Sequence, residues 1–482
     1  MRTTRRLLEA KWTRSSIAGA SSRAIESPGR KHRSIGGRVP AVVALLTSLS
    51  TLGAMTSSCS SSGDEHSPAP DGSTDAAVAS DAARDGEVID AGIADATLVD
   101  SAPLSIECSA PPCAVALSTT LRGGDSSREE GYCALLDDGT VACWGANTAG
   151  QLGNPDTSGD SPVPVRVSGL SKIETLDHTC AVDSDGAAFC WGRGPFLQSE
   201  ASTVTIETSP VRLPLPGPAT KIAVGTQAWV GCAILRDDSV VCWGDNYFSQ
   251  LGLAVSTSVR NGQPQVLELA AGAKDIAVGA ATFTIYEDGK LMSWGSSPGV
   301  GRPVTQYSDG WPTKVVLDHV SMVDTVEQET CTVANGIGWC WGASDYPGDF
   351  DPDRLSRALP VAVDIPEPIT RIATSRSWGV IENRVSYREK HRWCATSVTG
   401  AVYCWGLNNA GQAGDGTKQF ALEAVRVAGL PAPAAEVKVM PYSTCAVLTT
   451  GKVYCWGSNS YGQLGAGLPK GSVLVPAEVK LP

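Results

Sequence analysis

The stretch VACWGANTAGQLG, Val141–Gly153, decides how this chain is read. Its core, Cys-Trp-Gly, returns five more times, ending at Gly192, Gly244, Gly342, Gly406 and Gly457. A seventh copy, LMSWG, ends at Gly295 and carries Ser293 in the cysteine position. The marker tryptophans are Trp144, Trp191, Trp243, Trp294, Trp341, Trp405 and Trp456, spaced by 47, 52, 51, 47, 64 and 51 residues. A period near fifty, filled with short β-type runs and turn residues, predicts one propeller blade per copy. In the second repeat the strand-like pieces are VPVRV, KIETL, TCAV and AAFCWG, the last two joined around DSDG. Seven four-stranded blades closed into a ring would bury both faces of every sheet and remove long exposed edges. The expected fold is therefore all-β, a seven-bladed propeller, preceded by a signal segment and a disordered tether.

Each residue of the phrase has a structural use. The tryptophan offers its blade a large apolar contact surface. The glycines permit tight turns and close backbone approach. The asparagine, present as Asn147, Asn246, Asn408 and Asn459, can hydrogen-bond its own turn. Seven tryptophans at one blade position argue against a ligand or chromophore role. CALLDDGTVACWGANTAGQLG, CATSVTGAVYCWGLNNAGQAG and CAVLTTGKVYCWGSNSYGQLG resemble repeats of the regulator of chromosome condensation family. The resemblance covers roughly 108–482 and is weaker in repeats 2, 4 and 5, which keep Trp-Gly but lose the tail. It implies a seven-bladed propeller.

Twelve of the 15 cysteines fall into six pairs: Cys133–Cys143, Cys180–Cys190, Cys232–Cys242, Cys331–Cys340, Cys394–Cys404 and Cys445–Cys455. Five pairs are ten residues apart, which suits a symmetric hairpin with a three-residue loop and a left-handed residue near its end. Gly139, Gly186, Gly400 and Gly451 stand there, and Asp238 in repeat 3. The fifth repeat spans only nine, but its loop is Asn335-Gly336, the favoured two-residue turn, which restores the facing arrangement. Repeat 4 loses both cysteines together, to Phe283 and Ser293. Joint loss is what a bonded pair predicts, so six cross-strand disulfides are expected, with Cys108–Cys113 as a seventh. Zinc is disfavoured, because pairs on separate blades cannot converge on one ion.

The first part of the chain reads differently. Residues 1–38 hold 10 Lys/Arg and 2 Asp/Glu. The rest is therefore more acidic than the net charge of −12, which disfavours nucleic acid as a partner. The uncharged run VPAVVALLTSLSTLGAMTSSCS stops at Cys59 and has the chemistry of an export signal. It resembles a bacterial lipoprotein signal, which implies a lipidated Cys59 after a signal segment at 1–58 and an outer-membrane lipoprotein facing the periplasm or the medium. Thr56 stands where such signals usually have Leu, and an ordinary secretory signal is the alternative. Residues 59–107 hold eleven acids and one arginine, read as a disordered tether with a reach of roughly 40 Å. The propeller is assigned to 108–482.

No catalytic, cofactor or metal site emerges. The five histidines, His32, His66, His178, His319 and His391, show no metal-pair or nucleophile–base spacing. Asp349, Asp351 and Asp353 alternate as in a calcium loop, but Arg354 replaces the required glycine, so an acidic surface loop is expected. Family members include exchange factors for a nuclear GTPase, a role that export and acidity oppose. Others are exported bacterial propellers that inhibit β-lactamases by covering them with one face. The expected function is a non-catalytic, monomeric envelope scaffold that binds a protein partner and touches the membrane only through its lipid. The alternative is an enzyme or carbohydrate-binding propeller with a site at the central mouth. Repeat 6 is longer than the rest, and ATSRSWGVIENRVSYREKHRW holds the extra dozen residues. Trp378, Arg384, Tyr387 and Arg388, with Lys390, His391 and Arg392, have the composition of a recognition surface. The plainer expectation is a solvated hairpin packed on its own blade.

Overall fold

The computed structural model describes residues 101–120, 129–199, 204–225, 229–252, 261–269, 271–342, 358–375, 379–382, 385–388 and 391–482, with backbone alone at 261–262, 379–382 and 385–388. They fall within one compact unit, Ala91–Pro482. Every element among the described residues is a strand.

Seven four-stranded antiparallel sheets form the blades of a propeller ring. Blade 1 is β1 (Ala114–Thr119), β2 (Gly131–Leu136), β3 (Val141–Gly145) and β4 (Ser161–Arg166). Blade 2 is β5 (Ile173–Asp177), β6 (Cys180–Asp183), β7 (Ala188–Gly194) and β8 (Thr205–Arg212). Blade 3 is β9 (Ala219–Val224), β10 (Val230–Leu235), β11 (Val240–Gly244) and β12 (Asn261–Leu267). Blade 4 is β13 (Ala273–Val278), β14 (Ala281–Tyr286), β15 (Leu291–Ser296) and β16 (Ser308–Lys314). Blade 5 is β17 (Val320–Val326), β18 (Glu329–Ala334), β19 (Ile337–Trp341) and β20 (Val361–Ala362). Blade 6 is β21 (Ile369–Thr374), then a separate hairpin of β22 (Gly379–Glu382) and β23 (Val385–Arg388), then β24 (Arg392–Ser397), β25 (Val402–Gly406) and β26 (Ala421–Arg426). Blade 7 is β27 (Ala434–Val439), β28 (Ser443–Leu448), β29 (Val453–Ser458) and β30 (Ser472–Glu478).

The sequence framed the blades one strand early. VPVRV lies in and just after β4, the outer strand of blade 1, rather than opening blade 2. The tail after Trp144 turns the chain back beside β3, and Val167 N–H donates to Val141 O at 2.8 Å. Each blade is therefore one continuous segment, and among the described residues no strand crosses from one end of the chain to close the ring.

Closure comes from side-chain packing instead. Tyr132, Ala142 and Trp144 of blade 1 share a buried cluster with Cys445, Val453, Cys455 and Leu464 of blade 7. Ile106 packs on the same cluster, and Glu107 N–H donates to Thr449 O at 2.7 Å. The end of the expected tether is thus held against the array, because an apolar residue there completes a core. The boundary drawn at 108 falls a few residues late.

The hairpins follow the sequence. Cys331 faces Cys340 in register, and Phe283 faces Ser293. Asn335 (φ 51°) and Gly336 (φ 75°) both take the left-handed conformation that a two-residue turn requires. Asp238 does the same at φ 66° in the three-residue turn of repeat 3. The six hairpin pairs hold their Cα atoms 4.0–4.1 Å apart, and the sulfurs are joined in each, as they are between Cys108 and Cys113.

Candidate functional site

The repeated phrase ties each blade to the one before it. Six marker indoles donate Nε1–H to a carbonyl in the preceding tail: Trp144 to Gln463, Trp191 to Gln151, Trp243 to Pro195, Trp294 to Gln250, Trp341 to Gly299 and Trp456 to Gln412, at 2.5–3.0 Å. The motif asparagine holds that tail in shape. Asn147, Asn246, Asn408 and Asn459 accept from the N–H five residues on, at 2.8–3.1 Å. The last glycine of the tail meets the next indole. A Cβ on Gly465 would lie 2.8 Å from Trp144 Nε1, too close for any side chain. These six tryptophans are thus buried structural elements and not a ligand surface, while Trp405 is partly buried.

A buried polar network joins blades 6, 7 and 1. Arg392 is 1% exposed. Its guanidinium donates to Met440 O (2.6 Å), Ser443 O (2.8 Å), Gln412 O (2.8 Å) and Thr444 Oγ1. Glu130 accepts from Tyr442 N–H at 2.7 Å, Ser443 Oγ at 2.6 Å and Gln463 Nε2 at 3.3 Å. Burial pushes the Glu130 carboxyl up to about 7, against the pull of those donors and of the Arg392 charge. Burial also lowers Arg392 to about 10, which leaves it charged at neutral pH.

This corrects part of the recognition surface read from the sequence. Arg392 is a structural anchor, and His391 is buried beside it, 3.3 Å from Glu329. Tyr387 and Arg388 lie on β23, where Val380 pairs with Tyr387 and Gly379 with Arg388. Trp378, Arg384 and Lys390 lie outside the described residues, as do Cys59, the calcium-like Asp349, Asp351 and Asp353, and the tether through residue 100.

The antiparallel order gives the ring two unlike faces. Connections between first and second strands, and between third and fourth, leave from one face; they include every tail and the β22–β23 hairpin. The other face carries the tight second-to-third turns. There the incoming chain docks, with Ala114 N–H donating to Gly451 O at 2.9 Å. Sequence reasoning missed the exposed aromatics of blades 3 and 4. Tyr247 is 63%, Trp311 65% and Tyr307 81% exposed. Trp311 stands outside the repeated Trp-Gly phrase, which sets it apart in the sequence, but its exposure is set by the fold.

The innermost strands line a central channel. Opposite the first cysteine position of each blade stand Ser118, Asp177, Ala223, Ala277, Asp324, Ala373 and Lys438. Three channel carboxylates bridge to the next blade: Asp177 accepts from Val224 N–H, Asp324 from Thr374 N–H and Glu436 from Leu117 N–H, at 2.8–3.2 Å. Burial raises the Asp324 pKa. Burial opposes the charge on Lys438, but Glu436, Asp324 and Asp177 outweigh it and hold its pKa above the ordinary value. His178 Nδ1 lies 2.9 Å from Thr119 Oγ1. Among the described residues, no three His, Cys, Asp or Glu side chains are grouped to hold a metal ion.

The regulator of chromosome condensation (RCC1) repeat pattern matches residues 138–182, and a second pattern of the same repeat matches 441–463. The chain is 29% identical over 357 residues to the ultraviolet-B receptor UVR8 of Arabidopsis thaliana, covering 69% of this chain and 76% of that one. It is 26% identical over 328 residues to the E3 ubiquitin-protein ligase HERC2 of Homo sapiens, covering 62% of this chain but 6% of HERC2. Among solved structures, human WBSCR16 superposes with a TM-score of 0.57 at 18% identity, over 71% of this chain and 95% of that one. Prp20p of Saccharomyces cerevisiae superposes at 0.52 with 16% identity, over 70% and 91%. At such identities the superpositions speak for the fold alone: the chain is a seven-bladed β-propeller that carries RCC1 repeats at 138–182 and 441–463.

Proposed function

We propose that this chain is a non-catalytic scaffold at the cell envelope, anchored by lipid on Cys59, that binds a protein partner with its long-loop face. One observation carries the reading: among the described residues the longer connections, the inserted β22–β23 hairpin included, leave from one face, while the incoming chain docks on the other. Binding residues concentrate on loops held by a rigid frame. The solved Prp20p structure was described with its binding to Gsp1p and histones, which supports protein binding in general but names no partner here. Tyr387 and Trp378 supply aromatic anchors, and Arg384 and Arg388 steer an acidic surface toward them.

The test is affinity capture from envelope extract on the full chain. Trp378→Ala with Tyr387→Ala is expected to lower the retained partner roughly tenfold or more, as loss of hot-spot aromatics does. The melting temperature should stay within a few degrees. Unchanged capture would move the site off the hairpin, and a large loss of melting temperature would return these residues to the blade.

Export also requires the paired cysteines to be oxidised in the protein's own compartment. Non-reducing peptide mapping is expected to recover the Cys331–Cys340 link from native material. Full alkylation of those thiols without reductant would instead place the protein in a reducing compartment and remove the envelope reading.

A further inference from the structure

The channel holds a space of about 220 Å³ lined by inner strands of blades 2 to 7. That is room for several waters or one small organic molecule. Two residues before the channel layer already described lies a second one: Ala116, Thr175, Lys221, Asp275, Met322, Arg371 and Glu436. Except for Ala116, these residues line the space.

Their charges are unevenly used. Glu436 is occupied, accepting from Leu117 N–H and lying 3.2 Å from Lys438 Nζ. Asp275 Oδ1 accepts from Ile276 N–H at 3.0 Å, and its other oxygen has no protein donor among the described residues. Lys221 and Arg371 stand on blades 3 and 6, on opposite sides of the ring, and neither charged end has a protein acceptor among the described residues. Asp177, Asp324 and Lys438 line both this space and a smaller one of about 60 Å³ toward the long-loop mouth, so they form the layer between the two.

We propose that this space binds a small zwitterion, a free amino acid or a dipeptide. Its carboxylate is taken by Arg371 and Lys221, and its ammonium by the open oxygen of Asp275. A guanidinium suits a carboxylate because its forked donors match two oxygens. A simple anion would leave the open oxygen of Asp275 unanswered, and a simple cation would leave Lys221 and Arg371 unanswered. A ligand bearing both signs answers the two cations and the open carboxylate oxygen together. Thr175 and Met322 interrupt the charged layer with uncharged side chains and leave room beside them.

The experiment is calorimetric titration of the full chain with glycylglycine, acetate and ethylammonium as probes. Saturable binding of glycylglycine is expected, tighter than either single-charge probe by roughly tenfold or more, the effect of one charge-assisted hydrogen bond. Arg371→Met and Lys221→Met should each weaken glycylglycine by a similar factor. Asp275→Asn should remove the preference for glycylglycine over acetate while acetate binding survives. Melting curves identify any variant that fails to fold, and because the three sit on different blades, any one that folds suffices. No saturable heat with glycylglycine up to on the order of 10 mM would overturn the proposal. So would equal binding of acetate by the parent chain, or folded variants that bind as the parent does.

Discussion

Arg392→Met is expected to cost the fold roughly 3–5 kcal/mol, the usual penalty for breaking a buried charged network by removing one partner. The size follows from what the guanidinium holds. It satisfies Met440 O, Ser443 O and Gln412 O almost wholly out of contact with solvent. Gln412 O also accepts from the Trp456 indole, so the same change loosens the tie between blades 6 and 7. Methionine fills much of the volume but donates nothing, which leaves buried carbonyls under-satisfied. Arg392→Lys should fall between the two, because an ammonium keeps the charge but cannot reach several acceptors in one plane. Urea unfolding of the three proteins measures this. A loss below about 1 kcal/mol for the methionine variant would show that the network is solvated and not structural.

Stability is expected to fall as pH rises from about 4.5 to about 7, opposite to an ordinary paired carboxylate. The sign follows from Glu130. Its pKa is raised from 4.5 in the unfolded chain to about 7 in the fold. Between those values the folded protein keeps a proton that the unfolded chain has released, so each step upward in pH favours unfolding. Below 4.5 both states are protonated and the cost is absent; above 7 it is fully present. Two to three pKa units correspond to roughly 3 kcal/mol at about 1.4 kcal/mol per unit. Asp324, raised by burial, adds a contribution of the same sign. Glu130→Gln keeps the acceptor for Tyr442 N–H and cannot ionise, so most of the slope should disappear. Denaturation midpoints at pH 5, 6, 7 and 8 decide it. A parent protein that gains stability across that range would mean that Glu130 stays ionised in the fold.

These two residues show where sequence reasoning ran short. Arg392 stands among Arg384, Arg388 and Lys390, and in composition it belongs to the same basic protrusion. The fold puts it at the first position of β24, where strand alternation turns it inward against blade 7. Glu130 is one of two adjacent glutamates before β2, and nothing local distinguishes it from a solvated acid. Its partners, Tyr442, Ser443 and Gln463, lie at the far end of the chain and meet it only when the ring closes. Neither residue belongs to a repeated motif, so periodicity carried no signal for either.

The sequence by itself determined the blade count, the hairpin registers and the facing cysteines, because each depends on contacts within about ten residues of chain. Cys331 meets Cys340 through the turn at Asn335-Gly336, and Phe283 replaces one cysteine where Ser293 replaces the other. The tertiary structure decided which strand belongs to which blade and how the ring closes. It also decided which charges are buried and which line the channel. Those outcomes depend on neighbours one blade or a whole ring away: VPVRV joins blade 1 because the Trp144 tail folds back, and Glu130 is desolvated because blade 7 closes over it. Burial and charge are set by what packs against a residue in space, and a single chain read along its length does not contain that order.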